Sequence, residues 1–244
     1  MRAIVCGACG RMGRVLRQMI NEALDWTLAA GVDPYGQTPD VLPSLDGCPE
    51  ADVIIDFSHH SGTNALLAYA VERKLPVVIA TTGHTPEELA AIAEAAKKIP
   101  VFRSGNMSVG VALLCSLAKK AASVFPEADI EIVETHHNHK LDAPSGTAIT
   151  LAKDIIEELG RKDDWRLMKK GARIGKGIIP ITAVREGEVA GIHEVVYDSE
   201  IDTITLRHAA KSRKGLALGA VLAAEYLEDK HGYFTMKDLL KVES

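Results

Sequence analysis

The segment Gly7-Ala8-Cys9-Gly10-Arg11-Met12-Gly13 joins an apolar strand-like run, Arg2–Cys6, to a helical one, Met12–Leu24. In the second run Met12, Val15, Leu16, Met19, Ile20 and Ala23 share one face at helical spacing. Glycines at a strand-to-helix turn permit a tight reversal, close approach of the backbone to a pyrophosphate, and tight helix–strand packing. The helix start then offers unpaired N–H groups to an anion. The spacing is G-x-x-G-x-x-G rather than the commoner G-x-G-x-x-G, so the loop alone constrains little. Its context constrains more. Asp33 closes the next strand-like run, Trp26–Val32, twenty residues beyond Gly13, where a carboxylate can accept bonds from a ribose diol. The same carboxylate repels a 2′-phosphate, and Pro34 and Tyr35 follow it where an Arg would receive one. NADH is therefore expected to serve at least as well as NADPH.

The alternation continues. Asp52–Phe57 reads as a third strand, Ser61–Arg73 as a helix and Pro76–Ala80 as a fourth strand. Thr85-Pro86-Glu87-Glu88 opens another helix, with proline at its first position and acids in its first turn. Pro100–Arg103 is a fifth strand. Strands alternating with helices predict a doubly wound α/β domain with a parallel sheet. In such sheets ligands bind beyond the carboxyl ends of the strands. Thr81-Thr82-Gly83 and Ser104-Gly105-Asn106-Met107 both fall there. After Asn106 the rhythm changes. A long helix, Val109–Phe125, is followed by an alternating strand, Asp129–Glu134, and a helix, Ser145–Leu159. Ile178–Arg185, Ile192–Asp198 and Thr203–His208 then read as strands with no helix between them. That pattern predicts a second, α+β domain with a mixed or antiparallel sheet covered on one face. Lys214–Glu228 is a last helix, free to return to the first domain. The expected division is residues 1–107 with 214–244 as the dinucleotide-binding domain, and 108–213 as the domain for substrate and oligomerisation.

Composition excludes several classes. The net charge is −5 with no strongly basic segment, which argues against a nucleic-acid partner. No apolar run is long enough to span a membrane, and the N-terminus runs straight into a strand rather than a secretory signal. Four cysteines in 244 residues do not make a disulfide framework. A cytoplasmic protein is expected. Cys6 and Cys9 match C-x-x-C, but the glycines around Cys9 favour a nucleotide loop over a redox pair.

The stretch Glu134–Ala148, ETHHNHKLDAPSGTA, crowds three of the nine histidines and a lysine before a helix start. As a metal site it is poor: adjacent His136 and His137 point to opposite faces of a strand, and no H-E-x-x-H or cysteine pair accompanies them. A solvated loop explains the composition but not the turn that follows. Ser145 has the makings of an N-cap, Gly146 would let an anion approach the backbone, and Thr147 adds a hydroxyl. His137 and Lys140 beside such a cradle suit a small carboxylate, while His136 and Lys140 suit proton transfer.

This stretch closely resembles the signature of the dihydrodipicolinate reductase family, E-x-H-H-x-x-K-x-D-A-P-S-G-T-A, with every fixed position present. The resemblance runs along nearly the whole chain, through GACGRMGR, Asp56-Phe57-Ser58, Ala80-Thr81-Thr82-Gly83, Asn106–Gly110, Gly191-Ile192-His193-Glu194 and Ser212–Ala220. It implies a Rossmann-like domain that takes back the C-terminal helix. It also implies a substrate domain whose open sheet joins those of other subunits in a homotetramer. The implied reaction is hydride transfer from NADH or NADPH to a conjugated cyclic imine, after 4-hydroxy-tetrahydrodipicolinate loses water, in lysine and diaminopimelate biosynthesis. The enamine left behind must be protonated. By position the resemblance makes His136 the acid–base histidine and Lys140 the general acid. His137, Gly146 and Thr147 would bind the carboxylates of the dicarboxylate substrate. Gly7, Ala8, Cys9, Gly10, Arg11, Met12, Asp33, Ala80, Thr81, Thr82, Ser104, Gly105, Asn106 and Met107 would contact the cofactor. The chain departs from the family pattern in two places. Pro34 stands where many members carry Arg, and Gly36–Asp52 is short, which is expected to remove a helix between the second and third strands.

Two rival readings remain at this level. A semialdehyde dehydrogenase of the acylating kind would need a nucleophilic cysteine in the second domain, and only Cys115, in the apolar run VALLCSLA, is available. A sensor that binds NADH without turnover would not need the His–Lys cluster.

Overall fold

The computed structural model describes residues 1–36, 38, 40–160, 164–169 and 177–241. In chain order the elements are β1 (Arg2–Cys6), α1 (Arg11–Glu22), β2 (Thr27–Val32), β3 (Val41–Leu42), β4 (Val53–Asp56), α2 (Thr63–Arg73), β5 (Val77–Ile79), α3 (Pro86–Ala95), β6 (Val101–Arg103), α4 (Val109–Val124), β7 (Asp129–His136), α5 (Gly146–Leu159), β8 (Asp164–Met168), β9 (Ile178–Arg185), β10 (Ile192–Asp198), β11 (Thr203–Ala209), α6 (Lys214–Tyr226), β12 (Tyr233–Phe234) and α7 (Met236–Leu240). They fall into two units, Met1–Val109 with the chain from Arg213 onward, and Gly110–Ser212.

In the first unit seven strands lie in the order β12-β6-β5-β4-β1-β2-β3, and every neighbouring pair is parallel. The order reverses between β1 and β4, which makes a topological switch point at their carboxyl ends. Residues 3–6 of β1 are all buried, as a central parallel strand covered on both faces must be. Ile4 and Cys6 pack with Leu66 and Leu67 of α2 and Ile92 of α3. α1 and α6 pack against each other, and α6 also meets β4 and β5. α6 comes close because its buried side is mostly small: Ala217, Gly219, Ala220, Ala223 and Ala224, with Val221 the one larger residue. A Cβ on Gly219 would lie 1.7 Å from the Met107 carbonyl oxygen, so this helix meets the loop after β6 backbone to backbone. Trp26 Nε1 donates to Glu225 Oε1 at 3.1 Å. The rings of Phe102, Tyr226 and Phe234 form edge-to-face pairs at 6.2 and 5.5 Å, beside the edge strand β12.

In the second unit the order is β11-β10-β7-β9-β8. β10 is antiparallel to β11 and β7, whereas β9 is parallel to β7 and β8. Alternate residues of β7 are buried: Ile130, Ile132, Glu134 and His136. The two isoleucines pack with Leu151, Ala152 and Ile155 of α5 and with Leu114 and Ala118 of α4. Period-2 geometry then carries Glu134 and His136 onto that same covered face.

The fold class agrees with the sequence reading, a doubly wound parallel sheet plus an α+β unit with a mixed sheet. Several elements differ. β7 runs two residues past Glu134, so His136 is its last residue. The sequence pattern gives no sign of β3, β8, β12 or α7. β3 and β12 are two residues long, too short for any periodicity to show, and β8 is largely exposed. In the short segment Gly36–Asp52, residues 37 and 39 lie outside the described residues; the others contain β3 and no helix. Thr85 caps α3 with a full capping box: Glu88 N–H donates to its Oγ1 at 3.3 Å, and its own N–H donates to Glu88 Oε2 at 2.8 Å. Among the described residues no helix is long and apolar enough to cross a membrane.

Candidate active site

At the switch point the glycine loop is held by backbone bonds. Gly7 and Ala8 both donate to the Val32 carbonyl, at 2.9 and 3.2 Å. Gly7 has φ +74°, a left-handed conformation that only glycine adopts without strain. A Cβ there would lie 2.5 Å from the Phe57 carbonyl oxygen, and one on Gly13 would lie 2.1 Å from the Gly7 carbonyl oxygen. Gly10 precedes α1 without offering a side-chain cap, so the first N–H groups of that helix keep their anion-binding capacity. Asp33 is buried. Its Oδ2 accepts from Cys9 N–H and its Oδ1 from Tyr35 N–H, each at 3.0 Å. The sequence reading assigns this carboxylate to a ribose; the structure also makes it the clasp between the glycine loop and the end of β2. Its oxygens keep lone pairs for further donors. These features fit a dinucleotide: a cradle that a Cβ would fill, a helix start, and a carboxylate beside it.

The other expected cofactor residues are disposed unevenly. Thr81 is buried, and its hydroxyl donates to Asp56 Oδ2 at 2.7 Å. Burial raises the Asp56 carboxyl above its ordinary range, against opposing bonds from Ser58 and Thr81. Ala8, Ala80 and Met107 are buried as well, so what these four residues can present is mainly main chain. Arg11 and Thr82 are exposed, and Ser104 partly so. Ser104 Oγ donates to the Asn106 carbonyl at 2.7 Å and accepts from Asn106 N–H at 3.2 Å, shaping the loop through Gly105. The thiol of Cys6 is pushed well up, first by burial and then by the charges of Asp56 and Cys48. None of the four cysteines is in a disulfide. A thiol so hard to ionise makes a poor redox nucleophile, so Cys6 serves as core. Cys115 likewise packs against the core of the second unit, and offers no support for an acylating dehydrogenase.

The second unit holds the histidines and the lysine of the long motif. Glu134 is fully buried. Its Oε2 bonds His136 Nδ1, and its Oε1 accepts from both Nη1 and Nη2 of Arg185, each at 3.1 Å. Burial alone would raise the Glu134 carboxyl, but the bonds from His136 and Arg185 hold it below its ordinary range. Arg185 also donates from Nε to the Lys140 carbonyl at 3.3 Å and from Nη2 to the Asp142 carbonyl at 2.7 Å. One guanidinium therefore ties the end of β7 to the loop carrying Lys140. Lys140 Nζ lies 2.8 Å from both carboxylate oxygens of Asp142. The bond from Lys140 holds the Asp142 carboxyl below the usual range. Ser145 caps α5, its Oγ accepting from Ala148 N–H at 3.2 Å, and the same Oγ lies 3.1 Å from His193 Nε2. The rings of His193 and His136 stand edge to face at 5.2 Å. A Cβ added to Gly146 would meet nothing within 4 Å, so the start of α5 is open. His137 donates its N–H to the Val189 carbonyl at 2.8 Å, and its ring lies 6.1 Å from that of His139.

Glu134 and His193 appear in the motifs quoted above without a role, and Arg185 and His208 in none. Register explains them. Glu134 pairs with His193 across β7 and β10, and His193 with His208 across β10 and β11; His136 stands opposite Arg185. Alternation in Asp129–His136 shows that Glu134 shares a face with isoleucines, so a buried carboxylate in need of a partner could have been inferred. No local pattern identifies Arg185, some fifty positions away, as that partner. Glu134, His136 and His193 also present ligand atoms within 4.8 Å of one another. Both Glu134 oxygens are already engaged, Oε2 by His136 and Oε1 by Arg185, so a cation there would compete with those bonds.

His193 yields a stability prediction. Burial first, and then the nearby charge of His136, lowers it to about 4, against roughly 6.5 for an exposed imidazole. Between those values the unfolded chain binds a proton that the folded chain does not, so stability rises with pH through that window and falls as the pH drops through it. The full depression corresponds to about 3 kcal/mol. Urea unfolding of the wild type and of His193→Asn across the window should show the wild type losing more stability on acidification. Parallel curves would mean that His193 takes up its proton in the folded state.

A glycine cradle at a parallel-sheet switch point in one unit, and a buried histidine bonded to a carboxylate in the other, are features of the class of nicotinamide-dependent oxidoreductases. The comparisons narrow that class. Residues 1–107 match the family model described as dihydrodipicolinate reductase, N-terminus, and residues 110–240 match dihydrodipicolinate reductase, C-terminus. The chain belongs to the dihydrodipicolinate reductase family. It is 44% identical to the 4-hydroxy-tetrahydrodipicolinate reductase of Caldanaerobacter subterraneus subsp. tengcongensis, over 99% of this chain and 98% of that one. It is 37% identical to the enzyme of the same name from Clostridium novyi, over 98% of each. Among solved structures it resembles the dipicolinate-bound dihydrodipicolinate reductase of Paenisporosarcina sp. TG-14, with TM-score 0.82, 23% identity, and 96% and 97% of the two chains covered.

Proposed function

We propose that this chain reduces 4-hydroxy-tetrahydrodipicolinate, by way of dihydrodipicolinate, to tetrahydrodipicolinate in lysine and diaminopimelate biosynthesis, using His136 and Lys140 for the proton chemistry. The observation that carries the residue assignment is the junction at Arg185, which fastens the carboxylate behind His136 to the loop bearing Lys140. The family and the curated relatives of the same name support the reaction.

Gly7, Ala8, Cys9, Gly10, Arg11 and Met12 would hold the pyrophosphate, and Asp33 would accept from the adenosine ribose. Ala80, Thr81, Thr82 and Ser104–Met107 would contact the nicotinamide end. When bound, the nicotinamide supplies the hydride. The remaining work falls to the protein. His137, Gly146 and Thr147 receive the carboxylates, with α5 contributing its N-terminal N–H groups and dipole. Lys140 delivers a proton to the electron-rich carbon of the enamine, and leaves Asp142 to do so. Asp142 is largely exposed, so this exchange of partners is cheap in free energy. His136 takes and returns protons within the same site. Four cysteines outside any disulfide accord with work in a reducing cytoplasm. The homotetramer that the family resemblance implies would use the outer side of the second sheet, where Val133 and Val196 remain partly exposed.

The test is oxidation of NADH and, separately, of NADPH at 340 nm, with freshly generated hydroxytetrahydrodipicolinate. Turnover with NADH at least equal to that with NADPH is expected; no turnover in a folded protein that binds NADH would return the sensor reading. Pro34→Arg should raise affinity for NADPH relative to NADH by about tenfold, the worth of one charge-assisted hydrogen bond. An unchanged ratio would mean that the turn after Asp33 does not read the 2′ position.

A further inference from the structure

We propose that Glu134, clamped by Arg185, is a positioning residue that fixes a proton on Nδ1 of His136 and leaves Nε2 as the nitrogen that exchanges protons in the reaction. The inference rests on the acid–base role given to His136 above. Glu134 is fully buried against the Arg185 guanidinium at 3.1 Å, a pairing that favours its ionised form, and an ionised carboxylate can only accept. Oε1 is saturated by two bonds from Arg185, and Oε2 faces His136 Nδ1. Nδ1 must therefore be the donor, in the neutral ring as well as in the imidazolium. Nε2 has no protein hydrogen-bond partner among the described residues, and Gly191 keeps space beside it: a Cβ at that position would lie 3.1 Å from Nε2. The ring cannot readily turn over, because Glu134 grips one edge and His193 packs against it at 5.2 Å. A histidine with a free choice of tautomer would spend part of its time with Nε2 protonated and neutral, a weak acid and no base. The clamp removes that state.

Arg185 also dictates what a substitution does. In Glu134→Gln the guanidinium, which only donates, must face the amide oxygen. The amide NH₂ is then turned toward His136 Nδ1, where it needs an acceptor. The tautomer inverts: Nδ1 loses its proton and Nε2 gains it. kcat should fall tenfold to a hundredfold, the scale of a partly disabled acid–base group, with the KM for NADH little changed. Glu134→Asp keeps an acceptor-only group and should keep the Nδ1–H tautomer and more of the activity than the glutamine variant.

The experiment is ¹⁵N NMR of the full chain labelled at histidine, with the wild type and both variants compared, alongside steady-state kinetics. The expected signature is a neutral His136 protonated on Nδ1 in the wild type and on Nε2 in Glu134→Gln. A wild-type ring protonated on Nε2, or a glutamine variant with full kcat, overturns the proposal. The wild-type spectrum alone decides the tautomer if Glu134→Gln fails to fold. A wild type that shows Nδ1–H but has no reductase activity would overturn the functional reading while the tautomer assignment stood.

Discussion

Lys140→Ala should lower kcat by about 10²-fold or more, the usual cost of removing a positioned general acid, while NADH affinity stays close to that of the wild type. The side chain is mostly covered, at 21% exposure, and it ends on Asp142. Its backbone is held independently: Lys140 N–H donates to the His137 carbonyl at 3.1 Å, and its carbonyl accepts from Arg185 Nε. Truncation therefore removes the ammonium without releasing the loop. Its partner Asp142 is largely exposed and can be solvated by water, so losing the pair costs little stability and Tm should barely move. The dinucleotide cradle belongs to the other unit, which is why cofactor binding is the internal control. Steady-state kinetics with a fluorescence titration of NADH separates the two effects. Normal turnover in the variant would mean that the carbon is protonated from elsewhere, and His136 would be the first group to test.

Gly13→Ala should weaken NADH binding by about 10²-fold or more, equivalent to roughly 3 kcal/mol. The new methyl would stand 2.1 Å from the Gly7 carbonyl oxygen and 2.8 Å from Ala8 Cα. Those are backbone atoms of the cradle itself, and they cannot swing aside as a side chain could. Relief requires the loop to lift from α1, which displaces the N–H groups meant for the pyrophosphate. Overpacking of this kind also costs about 1–3 kcal/mol of stability, readable as a lower Tm. Gly10→Ala is the matched control. Its methyl would meet the same oxygen at 3.2 Å, a clash that a small shift relieves. A Gly13→Ala protein that binds NADH like the wild type would show that the cradle is not where the cofactor sits.

Much of this molecule is readable from local pattern. The turn from Cys6 through Gly13 needs glycine for steric reasons internal to a dozen residues, so its chemistry shows in the string. Thr85-Pro86-Glu87-Glu88 and Ser145 encode helix starts by side-chain-to-backbone bonds spanning three positions. The alternation of β7 is likewise local, and it already tells which of its residues are buried. Hence the fold class, the helix starts and the long histidine motif could be read without coordinates.

What the string could not yield depends on register and docking. Arg185 meets Glu134 only because β9 runs parallel to β7 with His136 opposite Arg185; a one-residue slip would turn it to the other face. His193 reaches Ser145 because β10 pairs antiparallel with β7. Gly219 looks like an ordinary helix residue until α6 is laid against Met107. Asp33 reads as a ribose ligand, and only the folded loop reveals that it also clasps Cys9. The division has a physical cause. Backbone conformation and amphipathic period are set by interactions among near neighbours, so the sequence by itself determined the elements and the residues that carry the chemistry. The partners that orient those residues come from chain segments tens of positions away, and only tertiary packing decided which of them would meet.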